Sequence, residues 1–106
     1  MLEFIETSTF TKRLEKLLSD ERYRALQSAL IDNPRLGAVI SGTGGARKLR
    51  WSPEGRGKSG GVRVIYYFNE EERRCFLLVI YSKSERDSLT DEEKHTLKIL
   101  IKRHLV

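Results

Sequence analysis

Val62-Arg63-Val64-Ile65-Tyr66-Tyr67-Phe68, then Asn69-Glu70-Glu71-Glu72-Arg73, then Arg74-Cys75-Phe76-Leu77-Leu78-Val79-Ile80-Tyr81: two β-rich runs flank one polar turn. β-Branched and aromatic side chains fill a pleated, packed surface well, so the first run reads as a strand. The second is apolar on both faces, the pattern of an interior strand. Five polar residues between them turn the chain back, and the pair reads as an antiparallel hairpin. Alternation along the first run places Arg63 with Ile65 and Tyr67, opposite Val62, Val64, Tyr66 and Phe68. If the hairpin closes through residues 69–73, Arg63 and Tyr81 fall at the same end of the sheet, with Lys83 just beyond.

Toward the N-terminus the spacing changes from two to three and four. Leu2 to Glu6 reads as a short strand. Thr9 or Thr11 then starts a helix bearing Phe10, Leu14, Leu17 and Leu18 at helical spacing. Ser19-Asp20 opens a second helix with Tyr23, Leu26 and Leu30, which Asn33-Pro34 ends, because the residue before proline is driven out of the α region. Arg47 to Trp51 reads as a short strand between two glycine clusters. Toward the C-terminus, Thr90-Asp91-Glu92-Glu93 is a capping box, followed by the stripe Leu97, Leu100, Ile101. The order is β-α-α-β-β-β-α: a small α+β fold, an antiparallel-rich sheet with an N-terminal helical hairpin and a C-terminal helix.

The 106 residues suit one domain, 1–106, and 39 % hydrophobic content suits one modest core. The longest apolar run, Cys75 to Tyr81, is far short of the ~20 residues that cross a bilayer. The first residues carry acids where a secretory leader carries lysines. Cys75 is the one cysteine, which rules out an internal disulfide and a cysteine zinc cluster. A reducing cytoplasm is the expected location, without membrane partners. His95 and His104 lie nine residues apart without further ligands at coordinating spacing and read as surface residues, so no metal is expected.

The formal charge is +5, and its distribution points to a partner. Between Thr43 and Arg63 stand Arg47, Lys48, Arg50, Arg56, Lys58 and Arg63 against Glu54 alone, a local excess equal to that of the whole chain. Seven of the eight glycines lie between Gly42 and Gly61. Glycine lets a backbone approach a ligand closely, and arginine offers a planar fork matched to phosphate oxygens. Gly55-Arg56-Gly57-Lys58-Ser59-Gly60 spells a dinucleotide fingerprint, but it leads into a strand rather than a helix N-terminus, and Ser52 stands where a P-loop needs glycine. A nucleic-acid backbone is the better partner. For Arg63 two readings remain open: an ion-paired structural residue, or a phosphate clamp. Tyr81 is equally open between edge packing and base stacking or proton transfer. Cys75 reads as a core thiol.

Three segments in order carry a resemblance: Gly42-Thr43-Gly44-Gly45-Ala46-Arg47-Lys48-Leu49-Arg50, Gly55-Arg56-Gly57-Lys58-Ser59-Gly60-Gly61-Val62-Arg63-Val64-Ile65-Tyr66-Tyr67, and Ile80-Tyr81-Ser82-Lys83-Ser84-Glu85-Arg86. Together they resemble the RelE/ParE superfamily of bacterial toxins, most closely its HigB-type branch. The resemblance implies a toxin of a type II toxin–antitoxin system, a ribosome-dependent mRNA endonuclease neutralised by a cognate antitoxin and needing no small-molecule cofactor. By that pattern Arg63 contacts the scissile phosphate, and Lys58 and Lys83 serve catalysis or charge stabilisation. Tyr81 and Lys83 are the candidates for general acid, since Ser84 stands where some relatives have arginine. Arg47, Lys48, Arg50, Arg56 and Arg86 are expected to contact RNA. A ParE-like gyrase inhibitor and a non-catalytic RNA-binding module are the alternatives.

Overall fold

The computed structural model describes residues 1–52 and 61–106. One five-stranded sheet organises them, in the order β1-β5-β4-β3-β2. The strands are β1 (Glu3–Glu6), β2 (Ala38–Val39), β3 (Arg47–Trp51), β4 (Val62–Asn69) and β5 (Arg74–Ser82). β1 runs parallel to β5, and every other pairing is antiparallel. Helices α1 (Ser8–Leu17) and α2 (Asp20–Asp32) join β1 to β2, and α3 (Asp91–Leu100) follows β5, continuing as a π-helical turn over Ile101–Leu105. The expected α+β class and element order are borne out, with β2 added. Two residues beside Gly37 carry no periodic signal, so β2 was invisible in the sequence.

Alternation sorts the side chains onto two faces. Val62, Val64, Tyr66 and Phe68 of β4 meet Phe10, Leu18, Leu26 and Leu30 of the helical hairpin. Ile65, Leu78, Tyr81, Leu89, Leu97 and Ile101 form a second cluster under α3. A bulge between Ile65 and Tyr66 shifts the β4–β5 register, so Ile65 faces Val79 while Tyr66 faces Leu77. Leu78 is the extra residue. The bulge lets Cys75, Leu77 and Ile80, which strict alternation would divide, all join the core beneath the hairpin. Cys75 is fully buried and burial pushes its thiol up to about 12, which makes it an inert core group.

Caps set the helix starts. Thr7, rather than Thr9 or Thr11, is the N-cap of α1, because its hydroxyl accepts from the Phe10 amide at 3.1 Å while donating to the Leu78 carbonyl at 2.8 Å. A threonine already tied to β5 fixes the entry angle, and the two later threonines fall inside the helix. Ser19 caps α2, and Asn33 ends it. The Thr90–Glu93 capping box is present at α3. Among the described residues no helix is long and apolar enough to cross a membrane.

Candidate nucleic-acid interface

Register brings the candidate residues together. Arg50 of β3 lies directly opposite Arg63 of β4, and Arg63 lies directly opposite Tyr81 of β5. Directly opposed residues share a sheet face, so these three form a row across adjacent strands on the α3 side. Lys48, opposite Ile65, is on the same face, two residues from Arg50. Lys83 follows β5 at the same end; it is exposed, and its amide donates to the Gly61 carbonyl at 3.2 Å. That contact fastens the end of β5 to the start of β4. Gly61 has φ +58°, and an added Cβ would stand 2.3 Å from the Trp51 carbonyl oxygen, so only glycine fits there.

Arg63 is 4 % exposed. Its Nη2 donates to Asp87 Oδ1 at 3.2 Å, while the Asp87 side chain is 62 % exposed. Lys48 Nζ donates to the backbone carbonyl of Asp87 at 3.0 Å. The hydrogen bond from Arg63, then the charges of Arg63, Lys48 and Arg50, hold the Asp87 carboxyl below its ordinary range. Of the two readings left open for Arg63, the ion pair is the arrangement seen here, but with an exposed partner on a loop rather than a buried one. Asp87 was not singled out in the sequence. An acid in a polar crossing that also holds Glu85 looks like a solvated residue until the register of β4 brings Arg63 beneath it.

Tyr81 is fully buried, and among the described residues its hydroxyl meets no hydrogen-bond partner. Burial raises its pKa, opposed by the positive charges of Arg86 and Arg63. The Arg86 guanidinium lies over the Tyr81 ring, 4.6 Å from its centroid, and its Nη1 donates to both oxygens of Glu93 at 2.6 and 2.7 Å. Glu93 also accepts from the Thr90 amide, so the capping box of α3 anchors the arginine that roofs the tyrosine. Arg86, expected to contact RNA, is thus held as a brace. Glu93 is a supporting residue that the sequence showed only as a cap.

The remaining expected contacts separate. Arg47 faces the opposite side of the sheet, opposite Tyr66, and its Nη1 donates to the carbonyls of Gly37 at 2.7 Å and Arg35 at 3.3 Å. It staples the turn after α2, apart from the row of Lys48, Arg50 and Arg63. Thr43, at the start of the glycine-rich region, is buried, and its hydroxyl closes a turn by donating to Ile40 O and accepting from Ala46 N. Lys58 and Arg56 lie outside the described residues. His95 and His104 are both exposed.

One family model, that of the RelE toxin of the RelE/RelB toxin–antitoxin system, matches residues 6–106. Among solved structures, the free-state mutant of Escherichia coli toxin RelE, with two arginines replaced by alanine, superposes with a TM-score of 0.59 at 18 % identity, covering 98 % of each chain. The intact E. coli RelBE toxin–antitoxin complex gives a TM-score of 0.59 at 16 % identity over 77 % of this chain and 96 % of that one. A conserved hypothetical protein from Helicobacter pylori gives 0.55 at 17 % identity, over 80 % of this chain and 98 % of that one. These structures share the fold, and the match of the family model over nearly the whole sequence assigns the chain to the RelE family of toxins of toxin–antitoxin systems.

Proposed function

We propose that this toxin is a ribosome-dependent endoribonuclease of the HigB type, cleaving mRNA by attack of a 2′-hydroxyl on the adjacent phosphate. The observation that carries the reading is the row Arg50–Arg63–Tyr81 on three neighbouring strands, with Lys48 and Lys83 beside it. In the reaction a base takes the 2′-hydroxyl proton and O2′ bonds to phosphorus. The P–O5′ bond breaks, and the leaving 5′-oxygen takes a proton. The products are a 2′,3′-cyclic phosphate and a 5′-hydroxyl. Negative charge grows on the non-bridging oxygens, where a fixed arginine fork stabilises it best. Arg63, held by the sheet, suits that role, and Arg50 adds a second positive charge.

The base in this reading is Lys83 or Lys58. Lys83 is exposed, whereas the Tyr81 hydroxyl is buried and Arg86 lies over its ring, which supports a reading of Lys83 as the group that meets substrate and Tyr81 as a wall. A single domain over residues 1–106 fits this assignment, as does a cytoplasmic site of action on the ribosome. A cognate antitoxin that offers an acidic or amphipathic segment to the basic face would neutralise the toxin.

In vitro translation tests the reading. Purified protein should stop translation and leave mRNA fragments only when ribosomes are present. Intact message alongside inhibited gyrase supercoiling would replace it with a ParE-like action. Intact message with RNA retained on the protein would reduce it to a binding module.

A further inference from the structure

Lys48, Arg50 and Arg63 bring three positive charges to one part of the sheet face, two of them directly opposed across β3 and β4. Like charges so placed repel one another unless an anion sits among them. Among the described residues, the carboxylate of Asp87, on the connection between β5 and α3, lies against Arg63. The two partners are held very differently. The Arg63 side chain is 5 % exposed and anchored within the sheet, whereas the Asp87 side chain is 62 % exposed. Among the described residues, this residue is fastened to the face by the 3.2 Å bond from Arg63 and the 3.0 Å bond from Lys48 to its backbone carbonyl. Moving Asp87 away would break both bonds together. The preceding residue, Arg86, roofs Tyr81, so adjacent residues of one connection cover adjacent residues of the sheet.

We infer that Asp87 occupies, in the free protein, the place that a phosphate group of single-stranded RNA takes on Arg63, and that RNA binds by displacing it. The inference deepens the nuclease reading, on which it rests for the identity of the incoming phosphate. A carboxylate offers its oxygens to an arginine fork much as a phosphate does. Being part of the chain, it competes at high effective concentration. Free RNA is therefore held weakly, and a strand presented in fixed position by a large carrier regains what the competition removes.

Fluorescence anisotropy with a labelled, 2′-O-methylated and hence uncleavable RNA oligonucleotide tests this. Asp87→Asn should bind roughly ten-fold more tightly than the unaltered protein, the change expected when an intramolecular competitor is removed. Glu71→Gln, which makes the same charge change in the turn at the far end of the hairpin, should alter binding less than about two-fold, a long-range contribution largely screened by salt. Adding Arg63→Gln to Asp87→Asn should abolish the gain. Equal affinities for Asp87→Asn and Glu71→Gln, or a gain that survives loss of Arg63, would overturn the inference. Should Asp87→Asn not fold, the carboxyl ¹³C resonance of Asp87 in the unaltered protein decides: it must move when RNA is added, and an unmoved resonance at saturation refutes displacement. Binding and cutting are read separately. Tighter binding by Asp87→Asn with no mRNA fragments from the unaltered protein would retire the nuclease and keep the displacement. Fragments with unchanged Asp87→Asn binding would do the reverse.

Discussion

Tyr81 holds its hydroxyl where no described polar atom answers it, beneath a guanidinium and above the apolar cluster under α3. A buried, unanswered hydroxyl loses its water without a compensating bond, a cost of about 1 kcal/mol or more. Phenylalanine fills the same volume without that cost. Tyr81→Phe should therefore raise the unfolding free energy by about 1 kcal/mol in urea titrations. If Tyr81 serves only as a wall, translation arrest should persist in this variant. A stabilised protein that no longer arrests translation would instead show that the hydroxyl reaches the substrate during the reaction. Arg63 presents the complementary case. It is buried, yet it donates to a carboxylate that lies open to solvent.

At the scale of elements, the capping box of α3 does two things at once. Thr90 and Glu93 satisfy backbone amides at the helix start, and Glu93 also holds Arg86 over Tyr81. The hydrogen bond from Arg86 and then that from the Thr90 backbone depress the Glu93 carboxyl below its ordinary value of 4.5. A depressed native-state pKa adds stability above the unfolded value and loses it as pH falls through the native one. The urea midpoint should thus decline below about pH 4.5, and the decline should be shallower in Glu93→Gln. An identical acid limb in that variant would remove Glu93 from the account of stability. Asp87 and Glu85 are depressed in the same direction, so some decline remains in the variant.

Elements also show what the sequence could and could not disclose. The alternation of Val62 to Phe68 assigned both faces of β4 correctly, because one residue in two must be apolar when a strand is packed under a helix. The bulge at Ile65/Tyr66 left no such mark, since Leu77, Leu78, Val79 and Ile80 are all apolar and any register looks acceptable. Thr9 and Thr11 read equally well as caps, and only the bond from Thr7 to β5 sets the cap earlier in the chain. The basic row was legible as composition, but its membership was not. Arg47 and Lys48 are neighbours in sequence and face opposite sides of the sheet, and Asp87 enters the site only through tertiary register.

Across the whole molecule, one sheet is used on both faces. The helical hairpin packs against one face over the larger core, while the α3 side combines a smaller core with the cationic row. The strand pairing β3–β4–β5 supplies fixed positions for charge, and the connection from β5 to α3 carries the exposed carboxylate that the proposal has RNA displace. That division suits the proposed ribosome-dependent nuclease, which need only offer a prepared phosphate site. The most direct measurement is the mapping of mRNA 5′ ends in cells after brief induction, comparing this chain with Arg63→Ala at matched, folded expression. The account predicts new 5′-hydroxyl ends within translated regions for the unaltered protein, and their loss together with relief of growth arrest in Arg63→Ala. Undiminished cleavage by a folded Arg63→Ala protein would contradict it.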